Sequence, residues 1–334
     1  MTIIAGYDIG GAHLKVARVE HGCLTAVGQF PCPLWLGLDK LDDALVAAHA
    51  TTAGADLHAV TMTGELCELF DSREQGVATL TRHVSEKLGG RVQIFMGLKG
   101  FGDAATASRN WASVASANFL ATARAISLRR QNALLIDFGS TTTDIVVCDR
   151  PQGLTDAERL QTGELVYTGL TRTPVPSVTT RAPLLGTWQG LARDAFATMA
   201  DVRRVIGNLP EGVDSDAHPD GRGATLKESL QRFARGFGRD ADMRHLDGWK
   251  IAAAHIREAQ LRSMIDGALQ VISRPGVDVS GGVVAAGIGA DDVQEIARRL
   301  GLPCITFGAL IDAPPELRLA ATRYAAAAAV ALLA

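Results

Sequence analysis

With 334 residues, the chain is too long for one comfortable hydrophobic core, and two domains are the expectation. Hydrophobic residues make up 47% of it and charged residues 21%, which excludes an intrinsically disordered protein. The formal net charge is −3 and the Lys and Arg residues are scattered, which excludes the basic surface that nucleic-acid binding requires.

The first predicted element is a strand that ends in a glycine turn. The stretch "AGYDIGGAHLKVARV", residues 5–19, places Asp8, Gly10 and Gly11 after an apolar run and Lys15 in the strand that follows. An aspartate at the end of a buried strand is costly unless it meets a cation or hydrogen-bond donors. Glycines beyond it allow the backbone to approach a ligand closely. Taken alone, the same pattern also fits an ordinary hairpin turn.

Alternating helices and strands follow, and Glu65 comes directly after one of the strands. The sequence predicts helices at 38–51, 76–89 and 110–129 and strands at 58–64 and 91–97. Glu65 is either a general base or metal ligand in a cleft, or a glutamate at the start of the next helix. The run 71–74 fits a surface salt-bridge cluster as well as a clamp in which Arg73 binds a phosphate. Asn118 fits either a polar core contact or a cleft residue.

A second copy of the opening hairpin lies at residues 133–149, "ALLIDFGSTTTDIVVCD". Asp137 matches Asp8, Gly139 matches Gly10, and Asp144 occupies the register of Lys15. Two such turns facing each other would hold a polyphosphate through backbone N–H groups, with Asp8 and Asp137 binding a hydrated Mg²⁺. The second turn adds hydroxyl and backbone donors at Ser140, Thr141, Thr142 and Thr143.

The second half of the chain continues with predicted strands through 164–178 and a helix over 191–207. That helix has an apolar stripe at helical spacing, and Asp201 on it is expected to be a solvated charge. The polar loop 211–223 fits either a lid or a surface loop without function. Its four acidic and imidazole groups resemble a metal site in composition, yet we expect a solvated loop; they are Asp214, Asp216, His218 and Asp220.

A third glycine-rich element, "VDVSGGVVAAGIGA" at residues 277–290, stands between a strand and a helix. Its glycines are Gly281, Gly282, Gly287 and Gly289. It lacks the pattern and the acidic partner of a nicotinamide-binding turn. The element therefore predicts a third contact to the phosphates in the same cleft.

The three elements in this order, "DIGGAHLK", "DFGSTTTD" and "SGGVVAAGIGA", resemble the phosphate motifs of the actin-like ATPase superfamily. The stretches 62–77, 111–123 and 194–210 further resemble a hydantoinase/oxoprolinase-like family linked to tetrahydromethanopterin-dependent one-carbon metabolism. The resemblance implies an α/β, two-domain actin-like ATPase (ribonuclease H-like) fold with a central cleft. The first domain would span 1–130, completed by a C-terminal helix at 320–334. The second would span 131–319, with a helical insertion at about 190–270.

That family includes a synthase of methanofuran biosynthesis, which implies a function for this chain. An aminomethylfuran-methyl diphosphate would condense with the phenol of a tyramine or tyrosine acceptor, free or glutamylated, giving an aryl ether and pyrophosphate. The substrates would be small molecules and the cofactor Mg²⁺. The expected catalytic residues are Asp8, Lys15, Glu65 and Asp144. The expected ligand-binding residues are Gly10, Gly11, His13, Gly139, Ser140, Thr141, Thr142, Thr143, Gly281, Gly282 and Gly287, with Asp8 and Asp137 at the metal.

Two alternatives stay open, both with ATP or ADP in the cleft. One is an ATP-dependent kinase or ligase, and the other is a nucleotide-binding regulator without catalysis. His13 departs from the pattern of many related kinases, which carry a small hydroxyl residue at that place in the first turn. That departure counts against simple phosphate transfer from ATP.

Five cysteines without a Cys-x-x-Cys pair favour a reducing compartment and exclude a disulfide framework. The N-terminus enters a strand directly, and the apolar tail "YAAAAAVALLA" is about half as long as a membrane span requires, so we expect a buried terminal helix. These features predict a cytoplasmic protein without a membrane partner. Monomer and homodimer both remain open.

Overall fold

Two mixed β-sheets, one in each half of the chain, organise the molecule. The computed structural model describes residues 2–214, 218 and 220–334. Within that part of the chain, the first sheet contains β1 (Ile3–Ile9), β2 (His13–Glu20), β3 (Cys23–Pro31), β4 (Leu57–Met62), β5 (Val92–Phe95) and β6 (Phe101–Gly102). The second sheet begins with β7 (Ala133–Phe138), β8 (Thr143–Val147) and β9 (Leu165–Val166). A separate hairpin follows, formed by β10 (Arg181–Leu184) and β11 (Thr187–Gly190). The second sheet is completed by β12 (Gly282–Ala286) and β13 (Cys304–Thr306).

The two sheets share one strand order, and this order identifies the fold. The strands run β3-β2-β1-β4-β5-β6 in the first sheet and β9-β8-β7-β12-β13 in the second. In each sheet the opening strand pairs antiparallel with the next strand and parallel with a later one. The chain therefore has the expected α/β, two-domain actin-like (ribonuclease H-like) fold with a central cleft. The domain limits at 130 and 319 stay a prediction.

Helices layer both sheets and build the helical region of the second half. In chain order they are α1 (Asp39–Thr52), α2 (Arg73–Leu88), α3 (Ala104–Arg109), α4 (Trp111–Val114), α5 (Asn118–Ser127), α6 (Asp156–Thr162), α7 (Val175–Val178), α8 (Met199–Ile206), α9 (Leu226–Arg235), α10 (Leu246–Ile272), α11 (Ala290–Arg299), α12 (Phe307–Leu310), α13 (Arg318–Arg323) and α14 (Ala325–Leu333). Among the described residues, no helix combines the length and apolar character that crossing a bilayer requires.

The predicted buried terminal helix is confirmed as α14, which packs on the first sheet. It contacts β1, β2, β4 and α5, and Ala325–Ala331 are buried. A Cβ at Gly6 would overlap the carbonyl oxygen of Ala327, so only glycine in β1 allows this close approach. The same apolar cluster includes Leu135 of β7 and Val284 of β12. One hydrophobic core therefore joins the two halves behind the cleft.

Several predicted elements are wrong in extent. The predicted helix over 110–129 breaks between α4 and α5, where Ser116 has a φ of 51°. The predicted helix over 191–207 is helical only in α8, and Ala195, which helical spacing from Leu191 to Met199 assigned to the apolar stripe, is exposed. Of the strands predicted through 164–178, the structure has β9 alone. These stretches were predicted from the local spacing of apolar residues, which carries no information about the tertiary contacts that end a helix.

The acidic groups of the helical region are paired rather than solvated. Asp201, predicted to be a solvated charge, is fully buried and bonded to Arg232 at 2.8 Å. In the predicted solvated loop, Asp214 pairs with Arg204 and Asp220 with Arg232. Asp216, the fourth member of the predicted cluster, lies outside the described residues. Arginine partners from helices distant in sequence explain both corrections, since buried carboxylates need such partners.

Candidate functional site

Two β-hairpin turns of equal geometry form the centre of the candidate site. In the first, the Gly10 amide donates to the His13 carbonyl at 3.0 Å, and in the second Gly139 donates to Thr142 at 3.0 Å. Asp8 faces Lys15 across the first hairpin, and Asp137 faces Asp144 across the second. The predicted equivalence of Lys15 and Asp144 is therefore confirmed.

Backbone amides at both turn tips are available to a ligand. Among the described residues, the amides of Gly11, Ala12, Ser140 and Thr141 donate no hydrogen bond to a protein acceptor. Consecutive amides of this kind form concavities that bind anions. The turns thus offer donors from both halves of the chain.

Lys15 is paired with Asp8 and interacts electrostatically with Asp137 of the second hairpin. Its Nζ is 3.4 Å from Oδ2 of Asp8, whose residue is only 2% exposed, while the Lys15 side chain is 31% exposed. Burial acts to lower the pKa of Lys15, but the charges of Asp8 and Asp137 outweigh it and the pKa is raised. Burial, together with Asp144, raises the pKa of Asp137 to about 7. Both aspartates therefore act on the charge of one lysine, which indicates that the two hairpins lie near each other.

Asp144 differs from Asp137 because it has a cation of its own. Arg159 of α6 donates a hydrogen bond to Asp144, and its guanidinium lies 3.6 Å from the centre of the Phe119 ring. Burial still raises the pKa of Asp144, although Arg159 acts in the opposite direction. A carboxylate held by an arginine is a weak candidate for a base, since proton uptake would leave that arginine without a partner.

Glu65 lies in a single turn, Gly64–Leu66, directly after β4. It is 1% exposed, and its Oε1 accepts from the Ser116 amide at 2.8 Å and the Ser116 hydroxyl at 3.1 Å. Its Oε2 is buried without a hydrogen-bond partner among the described residues. Burial raises the pKa of Glu65 to about 7. A carboxyl with one fixed oxygen, one free oxygen and this pKa is suited to accept a proton near neutral pH.

The backbone around Glu65 leaves little freedom for its position. A Cβ added at Gly76 of α2 would lie 2.7 Å from the Glu65 carbonyl oxygen, so α2 approaches Glu65 closely only because residue 76 is glycine.

Thr61 pairs with Asp8 in the parallel β4–β1 ladder and is fully buried. Its Oγ1 has no hydrogen-bond partner in the described part of the chain. Thr61 was not predictable from the sequence, because a threonine inside a strand carries no distinguishing signal.

A second loop supports the Ser140–Thr142 tip from behind. Leu170 and Arg172 donate backbone hydrogen bonds to the carbonyls of Gly139 and Ser140, at 2.9 and 3.0 Å. A Cβ at Gly169 would overlap Ser140, so the loop approaches this closely only with glycine.

Gln260 of α10 fixes this supporting loop. Its Nε2 donates to the Gly169 carbonyl at 2.7 Å and to the hydroxyl of Thr168 at 2.8 Å. Because Gln260 lies about 90 residues away in sequence, only the fold relates it to the site.

The late glycines divide between two ends of the second sheet. Gly287 follows β12 at a φ of 80°, and a Cβ there would overlap Oδ1 of Asp137, so Gly287 lies at the site. Gly281 and Gly282 lie at the opposite end of the parallel β7–β12 ladder, where Gly282 pairs with Ala133. The expectation that Gly281 and Gly282 contact the ligand is therefore wrong, because the length of β12 separates them from Asp137.

Two further candidates have structural partners. Arg73 donates to Asp156 of α6 at 2.8 Å, so this salt bridge links the two halves and the arginine is occupied. Ser72, next to it, caps α2 by accepting from the Gln75 amide at 3.2 Å. Asn118 begins α5, and its Oδ1 accepts from the adjacent Phe119 amide. The alternative in which Arg73 clamps a phosphate has no support here.

The donor set is compatible with a hydrated Mg²⁺ at Asp8 and Asp137. The Oδ1 of Asp8 is buried without a hydrogen-bond partner among the described residues, and burial raises the pKa of Asp137 to about 7, which a second cation beside it would lower. Within those residues, no group of three or more His, Cys, Asp or Glu side chains is placed to hold a metal. Mg²⁺ usually takes one or two carboxylates and keeps several waters, so a pair suffices.

Solved structures with a similar arrangement have low sequence identity. The ROK hexokinase of Thermus thermophilus is 15% identical, with a TM-score of 0.45 over 100% of this chain and 98% of that chain. The ethanolamine utilization protein EutJ of Carboxydothermus hydrogenoformans is 14% identical, with a TM-score of 0.48 over 100% and 90%. The assignment of the fold therefore depends on the repeated strand order.

Sequence comparison gives a nearer relationship. A protein of Methanocaldococcus jannaschii named (4-{4-[2-(gamma-L-glutamylamino)ethyl]phenoxymethyl}furan-2-yl)methanamine synthase is 30% identical over 245 residues, 72% of this chain and 73% of that protein. The hydantoinase/oxoprolinase family model matches residues 56–314, which include Glu65, Asp137 and Gly287. The chain belongs to the hydantoinase/oxoprolinase family.

Proposed function

We propose that the protein is an enzyme that forms an aryl ether on a furan-methyl carbon with diphosphate as the leaving group. The substrates would be an aminomethylfuran-methyl diphosphate and a tyramine-type phenol, as in methanofuran biosynthesis. The name of the relative describes a phenoxymethyl furan methanamine, the product such a reaction gives. The observation that carries the proposal is Lys15, a partly exposed cation paired with Asp8 beside a glycine turn with unbonded amides, and influenced by Asp137 of the second hairpin.

The hairpin turns would bind and stabilise the leaving group. In the reaction, the phenol oxygen bonds to the furan-methyl carbon while the carbon–oxygen bond to diphosphate breaks, and pyrophosphate takes the bonding electrons. Turn amides and Lys15 are suited to the charge that develops on that oxygen, because fixed donors cost no reorganisation during the reaction. Bound Mg²⁺ would add positive charge beside Asp8 and Asp137.

Glu65 would receive the proton of the attacking phenol. A free phenol has a pKa of about 10, so at neutral pH a base must assist it. The unpartnered Oε2 of Glu65 is the acceptor we assign, because Oε1 is held by Ser116 and Asp144 is held by Arg159. The proton therefore passes from the phenol oxygen to Oε2 as the ether bond forms.

The test is a direct product assay with the purified protein and Mg²⁺. A furan-methyl diphosphate and a phenolic acceptor should yield an aryl ether by mass spectrometry and one pyrophosphate for each ether, without ATP. Lys15→Ala should lower turnover on the order of 10²-fold or more, since it removes charge stabilisation made mainly in the transition state. Lys250→Ala, an exposed lysine on α10, is the matched control and should leave turnover unchanged. Strict ATP dependence with ADP as product would replace the proposal by the kinase or ligase alternative.

A further inference from the structure

Asp156 is a junction between the two halves of the molecule. It is the first residue of α6, in the second half, and its side chain is 17% exposed. It accepts from two residues of the first half, Arg73 at 2.8 Å and the Ser116 hydroxyl at 3.3 Å. Arg159, one turn further along α6, approaches it at 3.5 Å and also bonds Asp144. One turn of α6 thus bonds Asp144 directly and is connected to Glu65 through Ser116.

Ser116 connects this junction to Glu65. Its φ of 51° is uncommon for a residue other than glycine, and such a conformation persists only when surrounding contacts enforce it. The break it makes between α4 and α5 directs its amide and its hydroxyl to the same oxygen of Glu65. The hydroxyl has one proton and two carboxylate neighbours, Glu65 and Asp156, so it can donate to only one of them at a time.

We infer that Ser116 and Asp156 are positioning residues that hold Glu65 across the domain boundary and set how strongly its carboxylate is stabilised. The inference depends on the proposed function only in giving Glu65 a role as base. Because Asp156 and Glu65 compete for the Ser116 proton, the position of α6 influences the basicity of Glu65. When α6 is in place, Asp156 competes with Glu65 for that proton, so the Ser116 hydroxyl stabilises the Glu65 carboxylate less than it would alone.

Opposite effects of two substitutions follow from this arrangement. The groups that face Glu65 are Arg73 from α2, Cys67 from its own segment, and Ser116 with Asp156 behind it. Asp156→Asn replaces a charged competitor for the hydroxyl proton by a weaker, neutral acceptor and leaves Arg73 without its carboxylate partner, and both changes favour the charged form of Glu65. Ser116→Gly removes one donor, which disfavours the charged form, and glycine tolerates the local backbone.

The experiment is a carbon-13 NMR titration of glutamate carboxyls in the full-length protein, with Glu65→Gln identifying the signal of Glu65. We expect the Glu65 midpoint to fall by about one pH unit in Asp156→Asn and to rise by about one in Ser116→Gly. Asp149→Asn and Ser127→Ala, which have no described bond to Glu65, should leave the midpoint in place. Equal shifts in one direction, or no shift in either variant, would overturn the inference.

A kinetic measurement separates this inference from the proposed function. If the protein forms the ether, the acid limb of kcat should move in the same two directions while KM for the diphosphate changes less than twofold. If the titration midpoints move as expected but no ether is made, the positioning inference stands and the proposed function fails. If Asp156→Asn does not fold, the Ser116→Gly midpoint alone decides, because it must rise.

Discussion

The sharpest prediction concerns Glu65→Gln and the dependence of stability on pH. Burial raises the pKa of Glu65 from 4.5 to about 7 in the folded protein. Below pH 4.5 the carboxyl is protonated in both the folded and the unfolded chain. Between the two values the unfolded chain ionises first, so the free energy of unfolding falls as pH rises. Each tenfold change in proton concentration is worth about 1.4 kcal/mol, and the whole interval amounts to about 3 kcal/mol.

Glutamine cannot ionise, and its oxygen can still accept from the Ser116 amide, so the substitution removes this term and keeps the contact. Urea unfolding of both proteins at pH 5 and pH 8 measures the difference. Between pH 5 and pH 8 the free energy of unfolding of Glu65→Gln should rise relative to that of the wild type by about 2.5 kcal/mol, because part of the interval lies below pH 5. The contributions of other buried groups such as Asp137 cancel in the comparison. Glu68→Gln, an exposed neighbour, is the control and should follow the wild type. If the free energy of unfolding changed equally with pH in Glu65→Gln and in the wild type, the raised pKa of Glu65 would be refuted.

Other substitutions test the ligand contacts. Asp8→Asn and Asp137→Asn should each weaken Mg²⁺-dependent binding of pyrophosphate in calorimetry, and unchanged affinity in both would contradict the metal placement. Gly169→Ala should weaken pyrophosphate binding and lower the unfolding temperature, because a Cβ there displaces Ser140 of the second turn. Glu65→Gln should slow ether formation, and by less at high pH, where the phenol ionises unaided; an equal loss at every pH would argue against a proton-accepting role.

The hairpins were predictable from sequence because their signal is local and occurs twice. An aspartate, a glycine two residues later and flanking apolar runs define strand, turn and strand within 15 residues or so. Counting along the two copies placed Lys15 and Asp144 at one register, and the cross-strand pairs confirm it. Because the pattern occurs twice, each copy supports the interpretation of the other, which is not possible for a single motif.

What could not be predicted depends on contacts between distant segments. Ser116 interrupts the helix in a stretch whose apolar spacing looks continuous. The contact that explains the break is the hydrogen bond of its amide to Glu65, 51 residues earlier in the chain. Gly281 and Gly287 share one glycine-rich stretch, yet a strand of five residues separates their surroundings and only Gly287 reaches Asp137. Asp201 looked solvated because Arg232 is not its neighbour in sequence. In each case the deciding partner is a long-range one.

The duplicated turns hold unequal charges, and this difference gives the halves different parts in the proposed chemistry. In the first hairpin the cation is Lys15, whose side chain is 31% exposed toward the cleft. In the second, the corresponding position is Asp144, and its cation is Arg159, whose side chain is 3% exposed and packed on Phe119. A buried arginine can neutralise its carboxylate but cannot meet a ligand. In the proposed chemistry Lys15 of the first half would supply positive charge to the anion, and the second half would contribute turn amides and the anchoring of α6.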